Sequence, residues 1–414
     1  MSGSSDQKPF VRDFDVAVVG GGMVGASLAL GLAGTGVRVL LIESIAPDSA
    51  AQPSFDERTT ALGNASRRIF QGLGIWDEVS REAAAIRAIH VSDAGRFGFA
   101  RLKADELGID AFGYVAPNRV IGNALWRRLA GASGVEIRVP ARIDDLDITM
   151  ERAWFKVVTA TGAREVASAS LLIAADGAHS LVRAAAGIEA DVADYDQVAI
   201  VAAVAGDRAH DGTAYERFTP TGPVAVLPLC GGGYGTIWTC APQRAAQLLA
   251  LEDAAYLRQL QDRFGWRAGG FQRIGRRASY PLKLTRAATT VARRTVLIGN
   301  AAQALHPIAG QGFNLGLRDA ALLAELIVSA TGDVGSAQLL RKFSDWRAAD
   351  RGGVVRFTDG LVRLFGSRMP GISVLRNLGL LAFDLAPPAK RALARVSLGF
   401  GGPTPRLARG LPLQ

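Results

Sequence analysis

The stretch Asp15–Ser44, DVAVVGGGMVGASLALGLAGTGVRVLLIES, decides the fold. Its two β-rich runs, VAVV and VLLIE, flank an alanine- and leucine-rich segment that closes at Gly34-Thr35-Gly36. That is a strand, a helix and a second strand, which pair in parallel through a right-handed crossover. Between the first strand and the helix lies Gly20-Gly21-Gly22-Met23-Val24-Gly25, a match to G-x-G-x-x-G. Gly20 permits the tight turn, Gly22 lets backbone approach a pyrophosphate, and Gly25 lets the helix pack on the strand. The helix N-terminus then faces the phosphates. Glu43 ends the second strand eighteen residues beyond Gly25, where a carboxylate accepts the ribose hydroxyls of an adenosine. An acid there opposes a 2′-phosphate, so the tightly held nucleotide is that of NAD or FAD.

Two more glycine-bearing turns follow buried strands. After LLIAA comes Asp176-Gly177-Ala178-His179-Ser180, which in isolation reads as an ordinary Asx turn. After TVLI comes GNAAQALHPIAGQGFNLG, residues 299–316, leading into a long alanine-leucine helix. Asn300 offers an amide to hydroxyl groups, and Gly310-Gln311-Gly312 offers backbone N–H groups at a helix start. The segment lacks the lysine of a P-loop, so it suits a neutral or delocalised ligand.

The bulk of the chain agrees. Its 414 residues exceed what one simple core serves, and 49% hydrophobic with 21% charged residues and 48 glycines describes an α/β globular protein. Lys and Arg number 47 against 38 Asp and Glu, a net charge of +9. From Leu385 to Gln414 stand Lys390, Arg391, Arg395, Arg406 and Arg409 with no acid. No RNA-module aromatic pattern or zinc-finger spacing accompanies them, so nucleic acid is not expected. Cys230 and Cys240 lack CxxC spacing and read as two small buried hydrophobes. No metal site is expected. The polar N-terminus shows no signal peptide and no run approaches a membrane span, so the chain is expected in the cytoplasm.

Along the chain the pattern predicts a helix over 65–73, a hairpin over 89–102, a helix over 118–130 and a strand over 135–139. A hairpin over 153–168 then leads into the buried strand LLIAA. Short alternating strands from 197 to 240 form a separate sheet, followed by one helix over 245–264, strands over 280–284 and 295–298, and a mostly helical remainder. The expected fold is α/β: a Rossmann-like FAD-binding domain with an inserted, mainly antiparallel β-sheet substrate domain and a C-terminal helical region. The first takes residues 1–85, 105–185 and 285–335, the second 86–104 and 186–284, the third 336–414. Asp345, Arg347, Asp350 and Arg351 read as a solvated helix face.

The three turns in this order, with FDERTTAL, IHVSDAG and ERFTPTGPVAVLPL, resemble the FAD-dependent aromatic hydroxylases of the para-hydroxybenzoate hydroxylase class. Within that class the chain is similar to the ubiquinone-biosynthesis hydroxylases, above all the 2-polyprenyl-6-methoxyphenol hydroxylases, from about Asp15 to Phe400. The resemblance implies that Gly20, Gly22, Gly25 and Glu43 hold the adenosine half of FAD. It places Arg58 along the pyrophosphate and flavin, Asn118 at the ribityl side, and Asp176-Gly177 at the pyrophosphate and at transient NADH or NADPH. Asn300 stands where many members carry Asp; Pro307, Gly310, Gln311, Gly312 and Asn314 would line the isoalloxazine. Substrate contacts would come from the inserted sheet, with Tyr215 and Arg217 on the face toward the flavin. His306, weighed as a general base, reads rather as a shaping residue beside Pro307.

The implied reaction is hydroxylation of a polyprenylated phenol: NAD(P)H reduces FAD, O2 adds to give a flavin C4a-hydroperoxide, and its distal oxygen passes to the ring. The basic, apolar stretch 374–402 permits contact with a membrane surface or with other ubiquinone-pathway enzymes. A flavin-dependent halogenase is disfavoured because no W-x-W-x-I-P segment is present. A hydroxylase of another aromatic, a polyprenyl reductase and a non-catalytic FAD-binding scaffold stay open as alternatives.

Overall fold

The computed structural model describes residues 11–49, 52, 56, 58–304, 310–348, 352, 384, 386, 388, 390, 391, 398, 399 and 404–413. Its first unit is the expected one: β1 (Val11–Val19), α1 (Met23–Leu32) and β2 (Val39–Ile42), with Val16 opposite Val39 in parallel register. All four residues of β2 are buried, as a strand covered on both faces requires. Gly34, at φ 72°, turns the chain after α1.

The chain continues through β3 (Thr59–Gly63), α2 (Asn64–Gly72), the single turn α3 (Trp76–Val79) and β4 (Ala84–Ile86). The hairpin of β5 (Ala88–Asp93) and β6 (Phe99–Lys103) turns at Gly95, φ 73°. β7 (Gly113–Pro117) ends on a proline that becomes the N-cap of α4 (Asn118–Leu129). Then come β8 (Val135–Arg138), β9 (Ala141–Ile148), β10 (Ala153–Thr159) and β11 (Arg164–Ala174). Sequence separates a hairpin arm from the buried strand LLIAA; the structure makes them one strand, β11, antiparallel to β10 at its start and parallel to β1 along its length.

After α5 (Leu181–Ala185), the long β12 (Ala190–Gly206) opens the second sheet with β13 (Thr213–Phe218), β14 (Val224–Pro228) and β15 (Tyr234–Cys240). The single helix expected over 245–264 is two, α6 (Pro242–Leu249) and α7 (Asp253–Phe264). β16 (Phe271–Ile274), β17 (Ala278–Ala287), β18 (Val291–Ala292), β19 (Thr295–Leu297) and β20 (Gln303–Ala304) precede α8 (Gln311–Val328), and a further helix covers 337–348.

These strands make three sheets. One runs β18-β19-β11-β1-β2-β8, parallel from β19 to β8, with β10 and β9 extending from β11. The second, mainly antiparallel, runs β20-β17-β12-β15-β14-β13-β5-β6 with β16 on β12. A small sheet, β3-β7-β4, lies between. Leu28, Ile69, Leu125 and Leu322 fill the core on one face of the parallel sheet; Phe155, Leu172 and Val182 fill the other. The antiparallel sheet packs its outer face on α6 and α7 through Trp238, Tyr256 and Phe264. Its inner face meets the small sheet through Ala214, Leu102, Phe112 and Val115.

Two readings of single residues change. Arg347, expected on a solvated face, is 1% exposed and its Nε donates to Asp319 Oδ1 at 2.6 Å. A charge there is tolerable only because Asp319, equally buried, neutralises it. Asp345 is exposed, as a solvated face requires, while Asp350 and Arg351 lie outside the described residues. Cys240 is buried as expected, but Cys230 is exposed.

Candidate active site

The three glycine turns meet. A Cβ on Gly20 (φ 101°) would stand 2.4 Å from the carbonyl oxygen of Ala175, and one on Gly25 would stand 2.0 Å from that of Gly20. A Cβ on Gly316 would stand 2.9 Å from Gly299 Cα, and one on Gly299 3.3 Å from Val24. The first turn of α1 therefore touches the end of β11 on one side and the turn 299–301 on the other, at distances only glycine allows. Arg183 fastens the second turn to the third: Nη2 donates to Ala178 O at 2.8 Å and Nη1 to Ala301 O at 3.0 Å.

Glu43 is buried at 8% exposure; its Oε2 accepts from the N–H of Gly21 at 2.5 Å and its Oε1 from Ile45 at 2.9 Å. Trp126, which sequence reasoning missed, donates Nε1 to Gly21 O at 3.0 Å and lies where a Gly21 Cβ would sit, 2.6 Å from Cζ2. Only the placement of a lone tryptophan on α4 signals it, and that needs the fold. Asp176 Oδ2 accepts from Leu181 N at 2.8 Å, while its Oδ1 is buried with no partner. An orphaned carboxylate oxygen carries a desolvation cost that a ligand hydroxyl or amide relieves.

Both helix ends that would face the cofactor are bare. α1 starts at Gly22 and α8 at Gly310, neither with a side-chain cap and neither with an acid in its first turn. Their free N–H groups and dipoles favour anionic or electron-rich groups. Gly310 takes the left-handed conformation, φ 59°, with its Cβ position 3.1 Å from Ala61 of β3. Gln311 opens the first turn of α8 and is buried, and Gly312 follows. A glycine-lined cradle, an orphaned acid and two uncapped helix starts fit FAD.

Other expected residues serve the cradle indirectly. Asn314 spends its amide within the protein: Oδ1 accepts from Gly63 N and Ser66 Oγ, and Nδ2 donates to Ala61 O and Gly310 O, all within 2.7–2.8 Å. Its side chain thus pins β3 and α2 to the start of α8, and with all four amide positions taken within the protein the expected contact with a flavin is left to its backbone. Asn118 is buried and accepts from Thr60 Oγ1 at 2.7 Å. Arg58 Nε donates to Asp56 Oδ1 at 2.9 Å and the guanidinium lies 4.5 Å from the Tyr280 ring centroid, while Tyr280 donates to Asp56 Oδ2 at 3.1 Å. This trio joins the segment before β3 to β17 of the antiparallel sheet. Asn300 is exposed on its turn, and Gly177 takes φ 87° beside Asp176. His306 and Pro307 lie outside the described residues.

Tyr215 and Arg217, expected on the face toward the flavin, lie on the opposite face of the sheet. Tyr215 stacks edge-on against Phe264 of α7, centroids 5.6 Å apart, and Arg217 Nη1 lies 3.4 Å from the Cβ position of Gly265 just past α7. Both point to the helix-covered outer face. Side chains alternate along a strand, so the inner face of β13 carries Ala214, Glu216 and Phe218. Burial holds the Glu216 carboxyl up at about 7, with no charged neighbour contributing. His90, opposite Tyr215 on β5, is held down at about 4 by burial and by Arg267 and Arg101.

A parallel sheet with a glycine-lined cradle, joined to an antiparallel sheet with an apolar inner face, is the architecture of an FAD-dependent monooxygenase. Among solved structures the chain is similar to p-nitrophenol 4-monooxygenase from Pseudomonas putida, TM-score 0.78 at 21% identity over 95% of this chain and 99% of that one. Among curated proteins it is 37% identical to the ubiquinone hydroxylase UbiL of Rhodospirillum rubrum over 96% of this chain and 93% of that one. It is 33% identical to the 3-demethoxyubiquinol 3-hydroxylase of Escherichia coli over 93% and 98%. Residues 13–358 match the FAD binding domain model, and the chain belongs to that family of flavoprotein hydroxylases. Among the described residues no helix is long and apolar enough to cross a membrane, and no cluster of ligands for a metal occurs.

Proposed function

We propose that the protein hydroxylates the aromatic ring of a polyprenylated phenol in ubiquinone biosynthesis, with FAD bound, NADH or NADPH as hydride donor and O2 as oxidant. The observation that carries this reading is the apolar inner wall, formed by Ala214, Leu102, Phe112 and Leu398 with Leu227 and Ala61 packed on it, which adjoins the start of α8 through Ala61 and Gly310. The names of the relatives support the substrate class. Bound FAD supplies hydride acceptance and the activation of O2 for transfer of one oxygen atom.

The chain does the rest. Gly20, Gly22 and Gly25 would admit the pyrophosphate, Glu43 would take the ribose hydroxyls, and Asp176 Oδ1 would gain its missing partner from the cofactor. The uncapped N-terminus of α8 would favour electron-rich groups of the flavin. The apolar wall excludes water, so activated oxygen goes to the ring rather than to H2O2. Asn118 and Arg58 act through the backbone segment they hold.

A prenyl tail keeps its phenol in a bilayer, so the reading includes a peripheral approach to the cytoplasmic face of a membrane. The net-basic stretch after Leu385 supports it by charge alone, and the same surface suits other enzymes of the pathway. Deleting the gene in its host tests the function. Accumulation of a prenylated phenol, reversed by the wild-type chain and not by Gly22→Val, is expected; unchanged quinone content overturns the reading. Oxygen uptake matched to hydroxylated product separates it from a reductase.

A further inference from the structure

The inner face of the antiparallel sheet carries an acid where its neighbours are apolar. Glu216 stands opposite Val91 on β5 and Ala225 on β14. Ala214 and Phe218 flank it along β13, and both are buried. Leu227, one residue pair along β14, packs with Ala214 into the wall that also includes Ala61 of β3. The carboxylate is half-buried, and among the described residues no donor or cation pairs with it. Folding places an acid without a partner on a desolvated face only at a cost, and here that face continues through Ala61 to Gly310 at the start of α8.

We propose that Glu216 is a catalytic residue that accepts the substrate's phenolic proton. The inference rests on the phenol-hydroxylase reading. The phenolic O–H bond breaks, the proton joins a Glu216 oxygen, and the electron pair stays on the phenol oxygen and spreads to the ortho and para ring carbons. Those carbons become better nucleophiles toward the oxygen atom that the flavin delivers. The new C–O bond forms as the O–O bond of the activated oxygen breaks and leaves an oxyanion; the hydrogen displaced from the ring carbon leaves as a proton that neutralises that oxyanion, the ring regains aromaticity, and Glu216 returns its proton to the phenolate, so the residue is unchanged over a turnover.

Burial suits the group to this task. An exposed carboxyl near 4.3 is about six units from a phenol near 10, and one near 7 is about three units away, so desolvation closes roughly half the gap. Among the described residues no other titratable or charged group from β5, β14, β3 or β7 contributes to its ionisation; desolvation is the only cause.

The FAD-loaded full chain tests the proposal, with 2-allyl-6-methoxyphenol as probe. In the oxidised protein, the ultraviolet difference spectrum of the bound probe is expected to show the phenolate band above pH 7 in the wild type and to lose it in Glu216→Gln. In turnover with NADPH and O2, the product formed per NADPH consumed is expected to fall at least about 100-fold in Glu216→Gln, with H2O2 taking its place. The acid limb near pH 7 is expected to vanish in the same variant. Glu216→Asp, which keeps a carboxylate, is expected to recover part of both signals. Equal probe affinity, equal spectrum and equal coupling in wild type and Glu216→Gln overturn the role of Glu216 and leave the hydroxylase reading standing. A wild-type holoprotein that neither binds nor hydroxylates the probe overturns both.

Discussion

Gly20 and Glu216 show how much hangs on one side chain. Gly20 holds φ 101° and has no room for a methyl group, whose carbon would meet Ala175 O at 2.4 Å. Gly20→Ala is expected to cost about 1–3 kcal/mol through backbone strain alone, and to yield protein with little of the 450 nm flavin absorbance after purification; full flavin content would refute this account of the turn. Glu216 makes the opposite case. Its folded value near 7 lies above its ordinary 4.5, so the folded state holds the proton over that window. The resulting stability is complete below about 4.5 and is lost as pH rises through 7. At about 1.4 kcal/mol per unit the cost at pH 8 reaches about 3 kcal/mol. Glu216→Gln, which cannot ionise, is therefore expected to be more stable than wild type at pH 8 and little different at pH 4.5, read from urea unfolding at the two values. A carboxylate quietly satisfied by the fold would give no such gain.

At the scale of elements, the sequence spoke clearly where local chemistry sets the outcome and fell silent where a distant contact does. The βαβ unit was legible because glycine spacing, apolar runs and the closing Gly34 all lie within thirty residues. The gap between α6 and α7 was not. No glycine or proline marks Ala250-Leu251-Glu252; the break is held by Arg277, whose Nη1 donates to the carbonyls of Leu248 and Leu251 at 3.2 and 2.7 Å. The parity of β13 was hidden for a related reason: α7 covers the outer face, so Tyr215 and Arg217 look as enclosed as Glu216, and alternation alone does not tell inside from outside. Asn314 reads in sequence only as part of a glycine-rich motif; that its side-chain amide makes four hydrogen bonds within the protein needs the fold. The charged run on helix 337–348 concealed a buried ion pair because its partner, Asp319, lies on α8. Gln303 Nε2 also donates to that aspartate, at 3.2 Å. Asp319→Asn leaves the Arg347 charge uncompensated and is expected to cost about 3–5 kcal/mol, whereas Asp319→Leu with Arg347→Met is expected to recover most of it. Thermal unfolding of the two variants decides; equal losses would mean that shape rather than charge matters at this contact.

At the scale of the molecule, the cofactor cradle is built from chain segments separated by more than a hundred residues each: 20–25, 176–177, and 299–301 together with 310–316. They are held by Arg183 and by glycine contacts, and the segment before β3 is bridged to β17 of the antiparallel sheet through Asp56, Arg58 and Tyr280. A ligand that spans all three segments stabilises the whole arrangement, because unfolding any one of them destroys the site. With FAD at 100 times its Kd the linkage amounts to about 2.7 kcal/mol, and tenfold more FAD adds about 1.4. For domains of 150–250 residues each kcal/mol moves the midpoint by about 2–4 °C, so stripping FAD is expected to lower Tm by about 5–10 °C and readdition to restore it in proportion to the logarithm of its concentration. Both sheets are expected to respond together. Protection of the amides of β12 and β17 against hydrogen exchange should rise on FAD binding along with that of β1 and β11, though the former lie in the other sheet. If FAD protects only the parallel sheet, the two layers fold independently, and the Asp56–Arg58–Tyr280 bridge transmits nothing between cofactor and substrate wall. Tyr280→Phe, which removes the 3.1 Å bond to Asp56, is then expected to leave the exchange pattern unchanged; in the coupled molecule it weakens the FAD-induced protection of β17 first.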